Sequence, residues 1–445
     1  MTSRTATDPG DLIMVSVDDH VIEPGHMFED RVPARYADRA PRFVRQDDGT
    51  MAWLYGGKVI TNTALNAVAG RPPEEFGFEP TCIEELRPGC YDIHSRVKDM
   101  NANGMLGSMC FPSFPRFCGQ LFMEATRDTD EAAAMVRAYN DWHVDEWAGT
   151  YPGRFIPLAL PMMWDPEAAA AEVRRLARKG CHAVTFSSNP HALGLPSMYS
   201  EHWDPFWQAC ADEGTVPCMH LGSSSTVPTT SPDAPVELIY TLSPINLIET
   251  AGDVLWSSLF RKFPSLRIAL SEGGIGWVPY FLERVDYIYR HTQHWSGMDL
   301  GGRLPSEIFS EHVILCFIDD AVGIEARHRL NLDNVAWECD YPHSDTTWPK
   351  SPEMAMQYLS ALSREEIDKI THLNAMRHFQ YDPFAHVPRA EATVAALRGQ
   401  SAGWDVSVRA TRHLRPESTR AAGNAADAIA MMGRAAAPEA GGAGA

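Results

Sequence analysis

Eight short, continuously apolar runs recur through the sequence, and a segment with helical periodicity follows each of them. The runs span residues 12–17, 105–111, 155–162, 181–186, 215–220, 266–272, 313–318 and 334–339. Strands that are apolar on both faces are typical of a parallel sheet covered by helices. Eight such units predict an α/β fold, a (β/α)8 TIM barrel. An open doubly wound sheet is the alternative, but no Gly-x-Gly-x-x-Gly motif follows any of these runs.

The alternation is interrupted once, directly after the first run. Residues 21–91 form an insertion rich in Pro, Gly and Arg, with a predicted hairpin at 51–60 around Gly56-Gly57. An insertion of this length is expected to be structured, and we predict a cap over the barrel mouth. Residues 1–11 form an N-terminal tail, and the capped barrel spans 12–385. Residues 386–445 form a C-terminal arm whose last part, 436–445, is low in complexity and predicted to be disordered.

The charge and the cysteines exclude some classes of protein. The formal net charge of −20 argues against a nucleic-acid groove or an anionic membrane surface as partner. No apolar run approaches the length that spans a bilayer, and the first ten residues lack a signal core. Nine scattered cysteines without a Cys-x-x-Cys pair indicate a reducing compartment, so we predict a cytoplasmic protein. A homodimer is considered by analogy with other capped barrels only.

Metal-ligating side chains stand where the predicted strands end. Residues two apart on a strand share a face, so Asp18 and His20 point the same way and Asp19 points away. The other candidates at strand ends are His220, Glu272, Glu338, Asp340, His343 and Asp345. A single histidine at a strand end is more often a hydrogen-bonded core residue than a ligand. Because strand ends converge in a barrel, candidates on four different strands predict one site for a hard divalent cation.

The motifs around three of these strands resemble those of a known family. They are Asp18-x-His20, the sequence Cys218-Met219-His220-Leu221-Gly222, and Glu338-Cys339-Asp340-Tyr341-Pro342. Over residues 12–385 the chain resembles the amidohydrolase-related family, which includes the aminocarboxymuconate semialdehyde decarboxylase-like enzymes. The resemblance implies a metal-dependent barrel in which Asp18, His20, His220 and Asp340 are ligands.

One departure from that family concerns strand six. Such decarboxylases carry a histidine where this chain has Glu272, within Ser271-Glu272-Gly273-Gly274. The expected metal ligands therefore become Asp18, His20, His220, Glu272 and Asp340. A carboxylate can bridge two ions, and several carboxylates with two imidazoles match the ligand ratio of di-iron proteins on other folds. We predict a site for two iron ions. The alternative is a single zinc or manganese ion, with Glu272 orienting a ligand histidine.

Two chemistries follow from these ligand sets. A carboxylate-rich iron site narrowly favours a non-haem di-iron monooxygenase that uses O2 to hydroxylate a bulky apolar carboxylic acid or its thioester. The alternative is a non-oxidative decarboxylase or hydrolase that uses zinc or manganese. A third hypothesis, a binding barrel with a degenerate site, is disfavoured because the ligand types are all present.

Candidate catalytic and substrate-binding residues lie near the same strand ends. The catalytic candidates are Asp340, His343 and Glu272. Arg116, Ser188 and Trp277 follow strands two, four and six and are candidates to bind a small-molecule substrate. Each of the latter also has a structural alternative, namely packing under the cap, local turn hydrogen bonds or helix-start packing.

Overall fold

The computed structural model of the chain describes residues 8–61, 63–77, 80–414, 424–433 and 435–436. Eight of the strands in this part form a parallel barrel, and four form an antiparallel sheet in the cap. The strands are β1 (Val15–His20), β2 (Arg42–Arg45), β3 (Met51–Tyr55), β4 (Lys58–Ile60), β5 (Gly107–Phe111), β6 (Phe155–Ile156), β7 (Ala183–Phe186), β8 (Val216–His220), β9 (Ile268–Ser271), β10 (Val313–Phe317), β11 (Val335–Trp337) and β12 (Ala435–Ala436).

The barrel closes through three kinds of contact. The order β1-β5-β6 and the order β7-β8-β9-β10-β11 are both parallel. A single bridge between Ala159 and Val184 joins β6 to β7. Beyond β11, the Asp340 amide donates to the Asp18 carbonyl at 2.8 Å, which joins the last strand to the first. The sequence-based prediction of a (β/α)8 barrel is confirmed.

Helices surround the barrel and cover its ends. Asp92 caps the first helix by accepting from the Ser95 amide, and Gly104 ends it in the left-handed conformation. The α-helices are α1 (Ile93–Asn103), α2 (Gln120–Ala125), α3 (Thr129–Trp142), α4 (Pro166–Ala177), α5 (Asp204–Glu213), α6 (Val236–Leu242), α7 (Pro244–Trp256), α8 (Leu259–Lys262), α9 (Val278–Ser296), α10 (Pro305–His312), α11 (Ala321–Glu325), α12 (Ser351–Leu359), α13 (Arg364–Asp368), α14 (Asn374–His378), α15 (Val394–Gln400) and α16 (Ala425–Gly433).

The insertion after β1 forms a small antiparallel sheet. Strands β2, β3 and β4 pair in order, and the turn between β3 and β4 contains Gly56 and Gly57, as the hairpin prediction expected. Trp53 of β3 stacks on Phe114, which follows β5, with ring centroids 4.2 Å apart. Because Phe114 belongs to the barrel, this aromatic contact fixes the sheet beside the barrel mouth.

Three predicted elements differ in their bounds. The first strand runs on to His20, because its last residues pair with Cys110 and Phe111 of β5. The predicted strand 155–162 keeps only two regularly paired residues and one bridge, since Pro157 and Pro161 lack the amide hydrogen that a ladder needs. The helical periodicity of residues 245–262 predicts a single helix, but the segment forms two, α7 and α8, which are separated by Ser257 and Ser258.

The described part of the C-terminal arm packs against the barrel. The Val394 amide of α15 donates to the Leu12 carbonyl at 2.8 Å, and the Trp404 indole donates to Asp99 at 2.7 Å. Of the predicted tail 436–445, residues 437–445 lie outside the described residues. All nine cysteines are buried and free. Among the described helices, none combines the length and the apolar character needed to cross a membrane.

Candidate metal centre

Strand β1 directs two side chains into the barrel mouth and one away from it. Asp18 and His20 are fully buried there, with their side chains 3.4 Å apart. Asp19 lies on the other face, where it accepts hydrogen bonds from the Ser108 hydroxyl and, at 2.9 Å, from the Tyr341 amide. The alternation expected for a strand therefore separates a possible ligand pair from a structural carboxylate.

The five predicted metal ligands form one connected cluster. His220 Nε2 lies 3.2 Å from Asp18 Oδ2 and 3.1 Å from Glu272 Oε2. His20 Nε2 lies 3.1 Å from Asp340 Oδ1. Residues from β1, from the end of β8 and from the loops after β9 and β11 thus meet at the carboxyl end of the barrel.

His343 and Asp345 extend this cluster. His343 Nδ1 lies 2.9 Å from Asp340 Oδ1. Three overlapping groups offer ligand atoms that lie within 4.8 Å of one another, and each group could hold a metal ion. They are Asp18, His20 and His220; His20, Asp340 and His343; and Glu272, Asp340 and Asp345.

Six buried ligand atoms in this cluster have no hydrogen-bond partner among the described residues. They are both carboxylate oxygens of Asp18, both of Asp340, and Nε2 of His20 and of His220. His220 Nδ1 lies 2.6 Å from the Leu221 carbonyl oxygen, so Nδ1 carries the proton and Nε2 presents a lone pair. An unsatisfied buried polar group costs about 1–3 kcal/mol, and one or two cations bound among these atoms would satisfy them. These residues therefore fit a hard divalent metal ion.

Burial is the main cause of the pKa shifts of all five proposed ligands. Burial, with repulsion between neighbouring carboxylates, raises the pKa of Asp18, Glu272 and Asp340 well above the usual values. Burial lowers the pKa of His20 well below its usual value and that of His220 to about 4. A bound cation reverses the effect on the carboxylates, because it favours their charged form, and it requires the neutral imidazoles that burial already provides.

Two of the candidate ligands have strained backbones. Glu272 and Asp340 adopt φ values of +61° and +56°, which a residue with a side chain rarely adopts. The buried carboxylate of Glu338 accepts from the Glu272 amide at 3.1 and 3.2 Å and holds that residue in place. Such strain costs about 1–3 kcal/mol per residue and is concentrated at functional sites. Glu338 therefore holds a candidate ligand in place. From the sequence alone, its position at a strand end could not show whether it binds the metal or supports a residue that does.

Arg96 is a supporting residue that the sequence analysis missed. Its buried guanidinium donates to the His20 carbonyl and, at 2.6 Å, to the Gly89 carbonyl. It also lies near Asp19, whose pKa burial raises to about 6. An arginine within a helix gives no sequence signal for this role, because its contact with β1 depends on tertiary packing.

A cavity of about 740 Å³ opens onto the cluster. Among the candidate ligands, His20, His220, Glu272, His343 and Asp345 line it. Its apolar lining includes Leu65, Phe117, Leu221, Val227, Ile239, Ile318 and Ile429. Phe117 stacks on the His220 ring with centroids 4.3 Å apart. The site thus combines polar groups at the strand ends with a largely apolar wall, as small-molecule sites do.

The three predicted substrate-binding residues differ in position. Arg116 lines the cavity and pairs with Glu124 at 3.0 Å. Ser188 and Trp277 are not among the lining residues. The Ser188 amide donates to the Ser223 hydroxyl at 2.8 Å, and the Trp277 indole donates to the Gly273 carbonyl at 2.9 Å. These two residues therefore make hydrogen bonds within the protein, as the structural alternatives in the sequence analysis expected.

Comparison with known proteins places this barrel in a family. Residues 28–380 match the family model described as Amidohydrolase. The chain belongs to the amidohydrolase family. The predicted resemblance is thereby confirmed, and with it an enzyme of the metal-dependent amidohydrolase superfamily. No curated protein matches the chain.

Solved structures share the amidohydrolase fold at low sequence identity. An amidohydrolase from Mycobacterium avium subsp. paratuberculosis has a TM-score of 0.62 and 18% identity, over 82% of this chain and 97% of that chain. The 5-carboxyvanillate decarboxylase of Sphingomonas paucimobilis has a TM-score of 0.56 and 18% identity, over 83% and 100%. That of Novosphingobium aromaticivorans, with bound manganese, has a TM-score of 0.55 and 19% identity, over 84% and 99%. At these identities the likeness establishes the fold.

Proposed function

We propose that this amidohydrolase-family chain is a metal-dependent, non-oxidative enzyme that decarboxylates, or alternatively hydrolyses, a carboxylic acid with an apolar body. The observation that carries the proposal is the convergence of six buried, unpartnered acceptor atoms on the cavity side of the barrel. Two of the structural neighbours are named as decarboxylases, one of them with bound manganese, and this favours non-oxidative chemistry over the monooxygenase predicted first.

The proposed ligands are Asp18, His20, His220 and Asp340, with Glu272 completing the set. A divalent cation held there, manganese or zinc, would act as a Lewis acid that orients a substrate carboxylate or lowers the pKa of a water molecule. The chain's own part is to position these ligands, to keep the imidazoles of His20 and His220 neutral, and to exclude bulk water with the apolar wall of the cavity.

Two neighbouring residues are proposed to handle the proton. Burial lowers the pKa of His343 to about 4, so its imidazole is neutral near pH 7 and can accept a proton. Desolvation by the surrounding cavity wall, together with the charge of Asp340, raises the pKa of Asp345 to about 8, so its carboxyl group, which faces the cavity, can hold a proton there. The carbon that has lost CO2 needs one proton, and the protonated carboxyl group of Asp345 is the group that supplies it.

The first experiment measures metal content and oxygen dependence. The chain is purified without added metal, analysed for its elements, loaded with manganese or zinc, and assayed for CO2 release from substituted benzoic acids with and without O2. We expect turnover that persists without O2, and loss of bound metal and of activity in Asp340→Asn. Asp38→Asn, at an exposed position of the cap, is the control and should keep both. Turnover that requires O2 would overturn the proposal.

A two-iron monooxygenase is the second candidate, with O2 as co-substrate. The observation that favours it is the presence of three overlapping ligand groups, one of which contains Glu272 where a histidine is usual in the related decarboxylases. It requires two iron ions per chain, falling to one or none in Glu272→Ala, and product formation that stops without O2. One metal equivalent in both proteins would exclude it.

A further inference from the structure

Four segments that are distant in sequence form one side of the cavity wall. Leu65 comes from the cap, Val227 from the loop after β8, and Ile239 from α6. The fourth residue is Ile429 of α16, close to the C-terminal end of the described chain. All four side chains are aliphatic, while their sequence neighbours Asn66, Thr226 and Tyr240 add polar groups to the same cavity lining.

Helix α16 is attached to the barrel loops through small residues. Ala425 and Ala428 are fully buried in a cluster with Ala234 and Ile239. The Ala425 amide donates to the Ala234 carbonyl at 2.8 Å, and the Ala426 amide donates to the Pro232 carbonyl at 3.0 Å. The small side chains let the helix approach α6 closely, and its backbone amides fix its start.

Ile429 differs from these anchoring residues. Its side chain is 40% exposed although the residue lines the cavity. Ile429 is not a member of the buried cluster that attaches the helix to α6. Its exposed surface can therefore contact a ligand bound in the cavity.

We infer that α16 is a substrate-selecting wall of the cavity and that Ile429 contacts the apolar part of the substrate. The inference rests on the proposed function, because the carboxylate end of that substrate would lie at the metal ligands. An alkyl or aryl group suits the four aliphatic side chains, whereas a charged group against them would lose hydration that these side chains cannot replace. Ile429 is then a specificity-determining residue supplied by the C-terminal arm.

The docking of α16 is tested first, without any substrate. Ala428→Glu places a carboxylate in the buried contact with α6, and Ala430→Glu places the same group at an exposed position of the same helix. Amide hydrogen exchange is followed by mass spectrometry in both full-length variants. We expect exchange over residues 232–242 to become about tenfold faster in Ala428→Glu and to stay unchanged in Ala430→Glu. Unchanged exchange in both variants would show that α16 does not pack on α6, and the inference that it forms a cavity wall would be wrong.

The selecting role is tested by binding. Benzoate and 4-hexylbenzoate are titrated into the manganese-loaded chain by calorimetry, and into Ile429→Ala and Val408→Ala. Val408 is an exposed aliphatic residue of the arm that does not line the cavity. We expect Ile429→Ala to weaken 4-hexylbenzoate binding about fivefold and benzoate binding less than twofold, with no change in Val408→Ala.

The possible failures are distinguishable. If neither acid binds the intact chain, the proposed substrate class is wrong, and hydrogen exchange alone then decides whether α16 covers the cavity. If Ile429→Ala weakens both acids equally, or neither, the residue does not select the apolar part and the inference is overturned.

Discussion

Glu338 is fully buried behind the candidate ligands. Both of its carboxyl oxygens accept from the Glu272 amide. Replacing it by Gln keeps its shape but turns one of the two oxygens that face this amide into an NH2 group, so Glu272 should leave its left-handed conformation more easily. We expect manganese affinity to fall about 10–100-fold in Glu338→Gln, as for other residues that orient metal ligands.

The measurement for Glu338→Gln is a calorimetric titration of metal-free protein with Mn2+. The matched control is Glu29→Gln, at an exposed position of the cap, which should bind as the original chain does. Circular dichroism establishes that both variants are folded. An affinity within twofold of the original would show that Glu338 does not orient Glu272.

Glu23 gives a pH dependence that is separate from the metal ligands. Its buried carboxylate accepts from the Ser113 amide at 2.9 Å and the Phe114 amide at 2.8 Å, and burial raises its pKa from 4.5 to about 7. Between these values the folded chain keeps a proton that the unfolded chain releases, so the free energy of unfolding decreases as the pH rises.

Glu23→Gln removes this titration. Relative to the variant, the original chain should lose about 2 kcal/mol of unfolding free energy between pH 5 and pH 8. Urea denaturation at four pH values measures both proteins, and all other titrating groups cancel in the difference. Parallel pH curves for the two proteins would contradict the expectation.

The cap hairpin shows how one element depends on its contact with the next. Gly56 and Gly57 both have left-handed backbones, with φ of +58° and +74°. A Cβ at Gly56 would lie 2.0 Å from the Ala125 carbonyl oxygen at the end of α2, whereas a Cβ at Gly57 meets nothing within 4 Å. Substitutions at these two glycines therefore distinguish the cost of backbone strain, which both share, from the cost of disturbing the contact between the hairpin and α2, which only Gly56 makes.

We expect Gly57→Ala to lower the free energy of unfolding by about 1 kcal/mol, which is the cost of a left-handed residue with a side chain. Gly56→Ala should cost about 1–3 kcal/mol more, because the hairpin must move away from α2. Chemical denaturation of both variants measures the difference. Equal losses would mean that the hairpin is free to shift, and that its contact with α2 does not position the cap.

At the scale of the whole molecule, the sequence predicted what depends on local pattern and strand order. Continuously apolar runs predicted the barrel, and the polar residues directly after them predicted that Asp18, His20 and Asp340 would lie together, because strand ends converge in a barrel. The predicted strand 155–162 was too long, since two prolines within an apolar run prevent regular pairing. Ser188 and Trp277 follow strands but their side chains do not line the cavity.

What local pattern cannot reveal is contact between distant segments. Ile429 reaches the cavity only because α16 packs on α6, almost two hundred residues earlier in the chain. Arg96 reaches His20 only because α1 packs against β1. The metal ion and the reaction also stay predictions, because the same ligand atoms serve one ion or two.

The C-terminal arm contacts both the barrel and the cap. Val394 and Leu397 of α15 are buried, and the Val394 amide donates to the Leu12 carbonyl beside β1. Farther along, the Trp404 indole donates to Asp99 of α1, and the Arg409 amide donates to the Gly70 carbonyl at 2.8 Å. Residues 386–414 thus bind both the barrel and the cap.

Two shortened chains test whether this arm belongs to the folded unit. A chain ending at residue 385, the predicted boundary, exposes the surface that Val394 and Leu397 cover and loses the three hydrogen bonds of the arm named above. We expect it to lose about 4 kcal/mol of unfolding free energy or more, because each buried aliphatic side chain contributes about 1.5–3 kcal/mol. A chain ending at residue 414 retains these contacts and loses only the attachment of α16, so its urea midpoint should lie much closer to that of the full chain. Equal stability of the two shortened chains would instead make 385 the true end of the barrel domain.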